Sequence, residues 1–352
     1  MAPLGPHHYE TRAEWIMIAQ RRPPIEHVLV TGGAGYVGSA LVPALLQEGY
    51  QVTVLDLYLY GTDVFDDVRT PALREIAGDI RDPEVVQQAL EGVDAVIHLA
   101  CISNDPSYDL DPALGRSINF DAFRPLVQAS KRAGVQRFIY ASSSSVYGVK
   151  QEPQVTEELP LEPLTDYSKY KALCEQVLAE EAAPGFTTVT VRPSTVCGYA
   201  KRLRLDLVVN ILTAAAFHDR RIRIFGGDQM RPNIHIADMV AVYLDLLVQP
   251  DALVDGEIFN AGNENLTVRQ LADVVRRNVD PTIEFEVVPT NDNRSYRVSD
   301  EKLRGRIGLA PRHTIADAVR DLCEAFKAGK VPGAMNDPLY HNIKRMQAAG
   351  LK

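Results

Sequence analysis

The chain has 352 residues, of which 46% are hydrophobic and 24% charged, a composition that fits a globular protein with a large core and excludes a disordered or collagen-like chain. Its formal net charge of −9 and its lack of any run of Lys and Arg argue against nucleic acid as a partner, since acidic surfaces repel phosphates. Without a long apolar stretch for a membrane span, a secretory signal or metal-type CxxC spacing among its four cysteines, we expect a reduced, metal-free protein of the cytoplasm.

Residues 1–26 are rich in proline and predict an extension that precedes the fold. Its apolar segment Trp15-Ile16-Met17-Ile18 could pack against the same chain or against a partner subunit, and packing against the same chain is the expectation. From His27 onward, short apolar runs alternate with segments of helical period, a pattern typical of βαβ units. Because strands covered on both faces carry continuous apolar runs, we predict an α/β fold with a doubly wound parallel (Rossmann) sheet. The predicted strands are residues 28–30, 51–57, 95–99, 138–140 and 187–191.

A glycine cluster follows the first predicted strand and opens an apolar segment of helical period that continues to Leu46. It can be read as GxGxxG from Gly33 or as GxxGxxG from Gly32, within Thr31-Gly32-Gly33-Ala34-Gly35-Tyr36-Val37-Gly38. Glycines let the backbone approach a pyrophosphate, whose charge is met by the N–H groups and the positive dipole end of the helix. In this strand–turn–helix context, the cluster predicts a dinucleotide-binding site.

Asp56 stands at the end of the second predicted strand, where a carboxylate can accept hydrogen bonds from the adenosine ribose, although an aspartate is also common in strand-end turns. The next residues add three aspartates and no Arg or Lys as far as Asp67. A 2′-phosphate would be repelled there, so NAD is expected rather than NADP. Asp79, followed by Ile80, is a candidate for holding the adenine amino group or for a structural turn.

Four serines, residues 142–145, follow the predicted strand of residues 138–140, at the edge of a doubly wound sheet where ligands bind. One hydroxyl can bridge a substrate oxygen and a tyrosine, whereas the others are expected to cap their own backbone. Tyr167 and Lys171 lie four residues apart in a predicted helix that begins at Asp166, so they share one face. A cation near the phenol suits proton removal from an alcohol during hydride transfer, although this spacing is also common on helix surfaces.

Beyond Arg192 the pattern becomes irregular, with a short predicted strand at residues 222–225. Helices are predicted at residues 237–248, 267–279 and 314–328, the last two opening with Thr267/Gln270 and Thr314/Asp317 at capping-box spacing. We therefore expect a dinucleotide-binding domain and a smaller, interleaved C-terminal substrate lobe. The predicted divisions are the extension (1–26), the dinucleotide-binding domain (27–191, with 232–262 returning to it), the substrate lobe (192–231 and 263–332) and a tail (333–352).

Seven motifs occur in one order over nearly the whole chain: TGGAGYVG (31–38), Asp56, GDIRD (78–82), HLA (98–100), SSVYG (144–148), Tyr167-x-x-x-Lys171 and RPNIHIAD (231–238). With this set the sequence resembles the extended short-chain dehydrogenase/reductases, in the branch of NAD-dependent nucleotide-sugar epimerases and dehydratases. The resemblance implies NAD as cofactor, a nucleotide-diphosphate sugar as substrate and a homodimer formed through a four-helix interface.

The same resemblance implies roles for individual residues. Tyr167 would be the acid/base, Lys171 its partner, and Ser143, four residues before Tyr147, the catalytic hydroxyl. Asn119 would support the active site. Cofactor contacts are implied for Gly32, Gly35, Tyr36, Val37, Gly38, Asp56, Asp79, Ile80, Leu99, Ala100, Asn119, Tyr167 and Lys171. Substrate contacts are implied for Ser143, Ser144, Thr195, Arg231 and Arg297, the two arginines pairing with the diphosphate through their fork of donors, with Arg294 close enough to replace Arg297.

The chain also departs from the family's pattern. Family dehydratases place an Asp-Glu pair after the catalytic hydroxyl residue, where this chain has Ser144 and Ser145, so dehydration is disfavoured. The Glu that related decarboxylases keep before Val-Tyr-Gly is absent too. Thr195 occupies the Asn position of the family's Arg-x-x-Asn-x-x-Gly segment, and contacts to the substrate are expected to differ there.

The residues and the resemblance together predict reversible oxidation at C4 of the sugar through a 4-keto intermediate, with a nucleotide-sugar 4-epimerase as the leading interpretation. A net C4 dehydrogenase or 4-ketoreductase uses the same chemistry and is the alternative. A non-catalytic NAD-sensing regulator is a rival from another class, expected to lack Tyr167 or Lys171. An interaction role for the proline-rich start or for residues 336–352 would add to the enzymatic function without replacing it.

Overall fold

The computed structural model describes residues 24–103, 105–290 and 295–350. Residues 1–23 of the predicted extension, with Trp15 to Ile18, lie outside the described residues. The strands are β1 (His27–Thr31), β2 (Gln51–Asp56), β3 (Leu73–Ala77), β4 (Ala95–His98), β5 (Arg137–Ala141), β6 (Thr187–Pro193), β7 (Thr195–Cys197), β8 (Ile222–Phe225), β9 (Met230–His235), β10 (Glu257–Ala261), β11 (Glu264–Thr267) and β12 (Phe285–Val288). The α-helices are α1 (Gly38–Gln47), α2 (Pro83–Ala89), α3 (Asp105–Tyr108), α4 (Pro112–Arg116), α5 (Phe123–Arg132), α6 (Asp166–Glu180), α7 (Val208–Asp219), α8 (Ile236–Val248), α9 (Asp251–Val254), α10 (Val268–Val279), α11 (Glu301–Ile307), α12 (Ile315–Lys327) and α13 (Asn342–Ala349).

The central sheet has seven strands in the order β10-β6-β5-β4-β1-β2-β3, and every pair of neighbours is parallel. The five strands predicted from apolar runs form its centre, which confirms the doubly wound α/β fold. Two further strands, β3 and β10, complete its edges. The chain runs outward from β1 through β2 to β3 and then returns to the other side of β1 as β4, so the strand order reverses between β1 and β4. Ligands of such sheets bind beyond the carboxyl ends of the strands at this reversal.

The core explains why the central runs form strands. In β1, Val28 and Val30 pack on one side of the sheet with Leu41 and Leu45 of α1, while Leu29 packs on the other side with the residues of α2 and α5. Alternate side chains of a strand point to opposite faces, and all three are 0% exposed. Each such side chain contributes about 1.5–3 kcal/mol through burial, which pins β1 at the centre of the sheet.

Threonines begin three of the helices that the sequence predicted. Thr165 caps α6 in a capping box with Ser168, which sets the start of the helix that carries Tyr167 and Lys171. The capping boxes predicted at Thr267 and Thr314 are present at the starts of α10 and α12. Each cap is worth about 1 kcal/mol, because it satisfies backbone N–H groups that the helix cannot. No helix in the three described ranges has the length and apolar character needed to cross a membrane.

The smaller lobe is built from residues on both sides of the returning segment. A three-stranded sheet has the order β11-β9-β7, and β12 pairs with β8. Helices α7, α10 and α12 pack around a separate apolar cluster that includes Val209, Leu271 and Val319. Within the segment predicted to return to the main domain, α8 packs against the α1 side of the large sheet and β10 pairs with β6, whereas β9 belongs to the small sheet.

Candidate active site

A deep cleft opens at the carboxyl ends of β1, β4 and β5, where the strand order reverses. The Thr31 hydroxyl and His98 Nδ1 are hydrogen-bonded at 2.7 Å across this point, and burial lowers the pKa of His98 to about 3, so the ring is neutral. The predicted site residues that line the cleft are Gly32, Gly35, Tyr36, Val37, Gly38, Asp56, Asp79, Ile80, Leu99, Ala100, Ser143, Ser144, Tyr167, Lys171, Thr195 and Arg231.

The glycine turn leaves room for a phosphate to approach the backbone. Gly32 has φ +72°, and a Cβ there would lie 2.6 Å from the Cα of Ala100. A Cβ on Gly38 would lie 2.3 Å from the carbonyl oxygen of Gly33, so only glycine allows α1 to start this close to β1. No side chain caps α1 at Val37, its N-cap residue, so the positive end of the helix is open to a pyrophosphate. The residues present fit a dinucleotide.

Asp56 lies beside this turn with its carboxylate fixed in place. Its Oδ2 accepts a hydrogen bond from the Ala34 N–H at 3.0 Å and its Oδ1 accepts one from the Tyr58 N–H at 2.8 Å. Burial raises the pKa of Asp56, and the two backbone hydrogen bonds oppose that rise. The carboxylate thus holds the turn through its hydrogen bond to Ala34 and also lines the cleft. Asp79 also lines the cleft, and its carboxylate is paired with Arg81 at 2.6 Å.

Tyr167 and Lys171 come together one turn apart on α6. The Lys171 Nζ lies 5.9 Å from the centre of the Tyr167 ring and donates a hydrogen bond to the carbonyl oxygen of Ala141 at 2.7 Å. Ala141 is the last residue of β5, so this bond ties the helix to the strand end that precedes the serines. Lys171 is only 4% exposed, which separates this pair from the tyrosine–lysine pairs that decorate helix surfaces.

Each of the four serines has a different partner. Ser142 Oγ donates to Glu175 at 2.5 Å, and Ser144 Oγ lies 3.2 Å from the Tyr296 hydroxyl. Ser143 Oγ accepts from the Ser145 N–H at 3.1 Å and lies 2.9 Å from Ser145 Oγ. The prediction that the other serines cap their own backbone is wrong for Ser142 and Ser144, whose hydroxyls bond to side chains of distant segments. The local cap is instead made by Ser143, the candidate catalytic hydroxyl.

The Tyr167 phenol lies inside the cleft, and its burial raises its pKa well above the ordinary value of 10. Cys101 and Asp105 add to that rise, whereas the Arg204 guanidinium and a hydrogen bond with Ser143 lower the pKa. In the protein alone the phenol is therefore protonated at neutral pH. Ser143 lines the same cleft as Tyr167 and lowers its pKa, and a hydroxyl in this position can share a proton with a phenol.

Two predicted site residues lie away from the cleft surface. Both side-chain groups of Asn119 bond to the backbone of Ile102, with Oδ1 accepting from the N–H at 2.8 Å and Nδ2 donating to the carbonyl at 3.0 Å. Asn119 therefore supports a loop that lines the cleft, as expected for its supporting role, but it does not line the cleft itself as a cofactor contact would. Arg297 is exposed and is not part of the lining, whereas Arg231 is. Arg294 falls outside the described residues.

Comparison with known proteins decides the family. The family model described as the NAD-dependent epimerase/dehydratase family matches residues 28–262. The chain belongs to this family. Its members use NAD, in agreement with the glycine turn and Asp56, and the epimerase/dehydratase fold places the cofactor cradle and the tyrosine–lysine pair in one cleft. The protein is thus an NAD-dependent enzyme of the extended short-chain dehydrogenase/reductase type.

Both kinds of activity in the family name occur among its relatives. The UDP-glucose 4-epimerase of Lactobacillus helveticus is 29% identical over 316 residues, covering 83% of this chain and 94% of that protein. The solved UDP-glucose 4-epimerase of Thermotoga maritima, with UDP-glucose, has a TM-score of 0.78 at 25% identity and covers 86% of this chain and 99% of that one. DesIV, a dTDP-glucose 4,6-dehydratase from Streptomyces venezuelae solved with NAD, has a TM-score of 0.78 at 25% identity, covering 89% and 99%.

Several cleft residues of this epimerase/dehydratase family member are missed by sequence reasoning. Arg202 and Arg204 line the cleft, and so do Asn342 and Met346 of α13 in the tail. Arg204 is paired with Asp206 at 2.9 Å and donates to Ser103 Oγ at 3.1 Å. A signal was present in the alternation Arg202-Leu203-Arg204-Leu205-Asp206, in which both leucines are 0% exposed, since such alternation puts the charged residues on one side of an extended segment.

Proposed function

We propose that this protein is a nucleotide-sugar 4-epimerase, which oxidises C4 of the sugar and returns hydrogen to the opposite face of the 4-keto intermediate. The observation that carries the proposal is the convergence of Tyr167, Lys171 and Ser143 in the cleft that also holds the glycine turn. The UDP-glucose 4-epimerases among the relatives support the same substrate class. The rival interpretation, a regulator that binds NAD without catalysis, is disfavoured because Tyr167 and Lys171 are both present and line the same cleft.

The chain's residues divide the proton chemistry between them. Tyr167 takes the proton from the C4 hydroxyl and gives it back, while Ser143 holds the same substrate oxygen. Lys171, anchored to Ala141, orients its charge toward the phenol and lowers the free energy of the phenolate. When bound, NAD supplies the hydride acceptor and a positive charge that favours this phenolate. Because burial keeps the phenol neutral in the protein alone, Tyr167 is ready to act as a base only with the cofactor site filled.

Arg231 and Thr195 complete the proposed substrate site. Arg231 lines the cleft from β9, and its guanidinium fork suits a diphosphate. Thr195 lines it from the start of β7. Both residues belong to the small sheet, so the smaller lobe would hold the nucleotide while the large sheet holds the reacting carbon.

Epimerisation is favoured over dehydration by the serine loop. Elimination of water needs an acid and a base beside the sugar's C5 and C6, yet the two positions after Ser143 are Ser144 and Ser145. Ser144 is hydrogen-bonded to the Tyr296 hydroxyl, and neither serine can serve as an acid near neutral pH. The remaining alternative is a net C4 dehydrogenase or 4-ketoreductase, which uses the same residues and differs in whether the keto sugar is released.

Incubation of the isolated protein with UDP-glucose, followed by NMR of the anomeric proton, tests the proposal. An epimerase gives a mixture of both C4 epimers from catalytic amounts of protein without added NAD. A keto product that is stoichiometric with the cofactor, without the epimer, would reject epimerisation in favour of the dehydrogenase. If UDP-glucose is inert, mass spectrometry of the molecules that copurify names the nucleotide and sugar for a second trial.

Replacement of Tyr167 by Phe separates the enzyme from a regulator. We expect Tyr167→Phe to retain NAD through gel filtration and to lose turnover, because the ring still fills the cleft while the proton acceptor is gone. Undiminished turnover would refute the role of Tyr167. Loss of NAD together with turnover would show that the phenol serves binding.

We also propose a homodimer, as the family resemblance implies, and we place its interface on the α6 face. Leu173 on α6 is 38% exposed, and Leu164, just before the helix, is 55% exposed, so this face carries apolar side chains that a second copy would cover. Light scattering of Leu173→Asp should report a monomer, while Val248→Asp, at a 65% exposed position on another helix, should remain dimeric.

The cytoplasm is the proposed location. All four cysteines are free, and Cys174, Cys197 and Cys323 are buried. Unpaired thiols are typical of proteins in a reducing compartment. Recovery of the protein in the cytosolic fraction of the source cells is the expected result.

A further inference from the structure

Arg202 lies in an unusual position, across the phosphate-binding end of α1. Its backbone N–H donates to Ser39 Oγ at 3.2 Å, although the two residues are 163 positions apart. Ser39 is the second residue of α1, directly after Gly38 of the glycine turn. A neighbouring bond, from the Tyr36 hydroxyl to the Gly198 carbonyl at 2.6 Å, holds the same loop against the turn. The side chain of Arg202 therefore enters the cleft beside the glycine turn.

The guanidinium of Arg202 is buried without a counter-ion in the described part of the chain. It is 5% exposed and stacks on the Tyr60 ring at 3.7 Å. One of its nitrogens donates to Asn342 Oδ1, and among the described residues its Nε has no hydrogen-bond partner. The other buried arginines each have a carboxylate, namely Arg137 with Asp251, Arg192 with Glu175 and Arg204 with Asp206. Burial lowers the pKa of Arg202 to about 10.

Burying a cation of this kind costs folding free energy unless an anion pairs with it. Three observations indicate which anion. Arg202 lines the same cleft as Gly35 and Gly38, its backbone is bonded to the first turn of α1, and the Asp56 carboxylate, suited to a ribose, lies near enough to affect its pKa. A dinucleotide with its ribose at Asp56 and its pyrophosphate at the start of α1 would therefore bring the pyrophosphate close to Arg202.

We propose that Arg202 binds the pyrophosphate of the cofactor and that Asn342 holds Arg202 in the binding orientation. Asn342 is 2% exposed, and its Nδ2 donates to Ser103 Oγ at 3.0 Å while its Oδ1 accepts from Arg202. On the next turn, Arg345 Nε donates to the Leu59 carbonyl at 2.5 Å. Helix α13 thus spans the cleft from the loop after β4 to the loop after β2, over the arginine. The tail is in this way part of the cofactor site.

This inference rests on the use of NAD by the family and is independent of which sugar is epimerised. It is tested with Arg202→Met, which keeps the length of the side chain and removes the charge, and with Lys201→Gln as a matched control. Lys201 is the adjacent residue, 41% exposed on its side chain and paired with Asp67 at 2.5 Å, so its loss removes the same unit of charge outside the cleft.

Affinity for NAD, measured by calorimetry on protein freed of cofactor, should fall at least about tenfold in Arg202→Met, since bonds to charged groups are worth about 1.5–3 kcal/mol. It should be nearly unchanged in Lys201→Gln. Affinity for UDP, measured separately, should also be unchanged. A loss of UDP affinity with NAD affinity intact would assign Arg202 to the substrate's diphosphate and overturn the proposal, as would unchanged affinity for both.

Thermal unfolding distinguishes a ligand-binding arginine from a structural one. Without NAD, Arg202→Met should melt at the same temperature as the wild type or higher, because an unpaired buried charge has been removed. The rise in melting temperature caused by NAD should shrink. A lower melting temperature without NAD, with an unchanged rise on adding it, would assign Arg202 to the fold alone.

The role of the tail is tested on α13 itself. Asn342→Ala should speed the release of NAD severalfold, measured by stopped-flow displacement, because Arg202 loses its only side-chain hydrogen-bond acceptor in the described chain. Lys344→Ala changes an exposed residue of the same helix and should release NAD at the wild-type rate. Equal release rates for Asn342→Ala and the wild type would remove Asn342 from the proposal.

Discussion

Glu175 and Arg192 form a buried ion pair directly behind the serine loop. Arg192 Nε donates to Glu175 Oε1 at 3.0 Å and Arg192 Nη2 donates to Oε2 at 2.7 Å. Glu175 also accepts from Ser142 Oγ, and Arg192 Nη1 donates to the Tyr147 hydroxyl at 2.7 Å. The pair therefore holds both ends of the segment that contains Ser143. Since Glu175 lies one turn beyond Lys171 on α6, the helix that carries Tyr167 also fixes the loop that carries Ser143.

Glu175→Gln should be strongly destabilising. The substitution leaves Arg192 charged and buried without its partner, and breaking a buried pair in this way costs about 3–5 kcal/mol. Urea unfolding followed by circular dichroism measures the change. Glu180→Gln, on the exposed end of the same helix where Glu180 pairs with Arg124, is the control and should unfold at nearly the wild-type midpoint. Equal midpoints for the two variants would show that the buried pair does not support the loop.

The turnover of alanine variants distinguishes Ser143 from Ser145 as the catalytic hydroxyl. If Ser143 shares a proton with Tyr167 and substrate, Ser143→Ala should lower kcat by about a hundredfold, the typical range for a group that acts in proton transfer. Ser145→Ala removes only a neighbour of Ser143 Oγ at 2.9 Å and should cost less than about tenfold. NAD retention should be the same in both variants. A larger loss for Ser145→Ala would move the catalytic hydroxyl to position 145.

Local signals made the fold readable from the sequence. The apolar runs of the central strands and the capping boxes at Thr267 and Thr314 depend on residues within a few positions of one another, and all are present in the structure. The strand β3 is less evident because it lies at the sheet edge, where its residues are only partly buried or exposed, so its sequence lacks a continuous apolar run. The small sheet combines strands as short as three residues, too short to show a period.

Distance along the chain explains what the sequence could not show of the site. Tyr167 and Lys171 were found because helical spacing relates them, and Asp56 because it ends a strand near the glycines. Arg202 meets Ser39 across 163 positions, and Asn342 meets Ser103 across 239. Such contacts depend on how distant segments of the chain pack together in three dimensions, and no local pattern encodes that.

As the pH is lowered, the affinity for NAD should begin to fall at a higher pH than it would if Asp56 had the pKa of an ordinary aspartate. Burial raises the pKa of Asp56 above its usual value of 3.8, so its carboxylate, the proposed acceptor for the ribose, is protonated as the pH falls through that raised value. In the protein without NAD the sign is opposite, because a buried carboxylate favours folding when protonated and that stability is lost as the pH rises through the raised pKa.

Thermal unfolding with and without NAD between pH 4 and 8 follows both effects. The NAD-induced rise in melting temperature should shrink toward low pH in the wild type. Asp56→Asn should give a small rise that does not vary with pH, while Asp63→Asn, in the exposed loop that follows, should behave as the wild type. A pH-dependent rise that survives in Asp56→Asn would place the titrating group elsewhere.

Gly32→Ala should disrupt the glycine turn through a single steric clash. A Cβ at position 32 would lie 2.6 Å from the Ala100 backbone, which cannot retreat because the adjacent Leu99 N–H is bonded to the Thr31 carbonyl at 3.0 Å. Gly49→Ala is the matched control, since Gly49 also has positive φ, +90°, but a Cβ there meets nothing within 4 Å. Left-handed strain alone costs about 1–2 kcal/mol, which urea unfolding should report for Gly49→Ala with NAD retained. Gly32→Ala should lose more stability than Gly49→Ala and most of its bound NAD. Equal losses in the two variants would mean that glycine is needed at position 32 because of its positive φ and not because of the close approach of the Ala100 backbone.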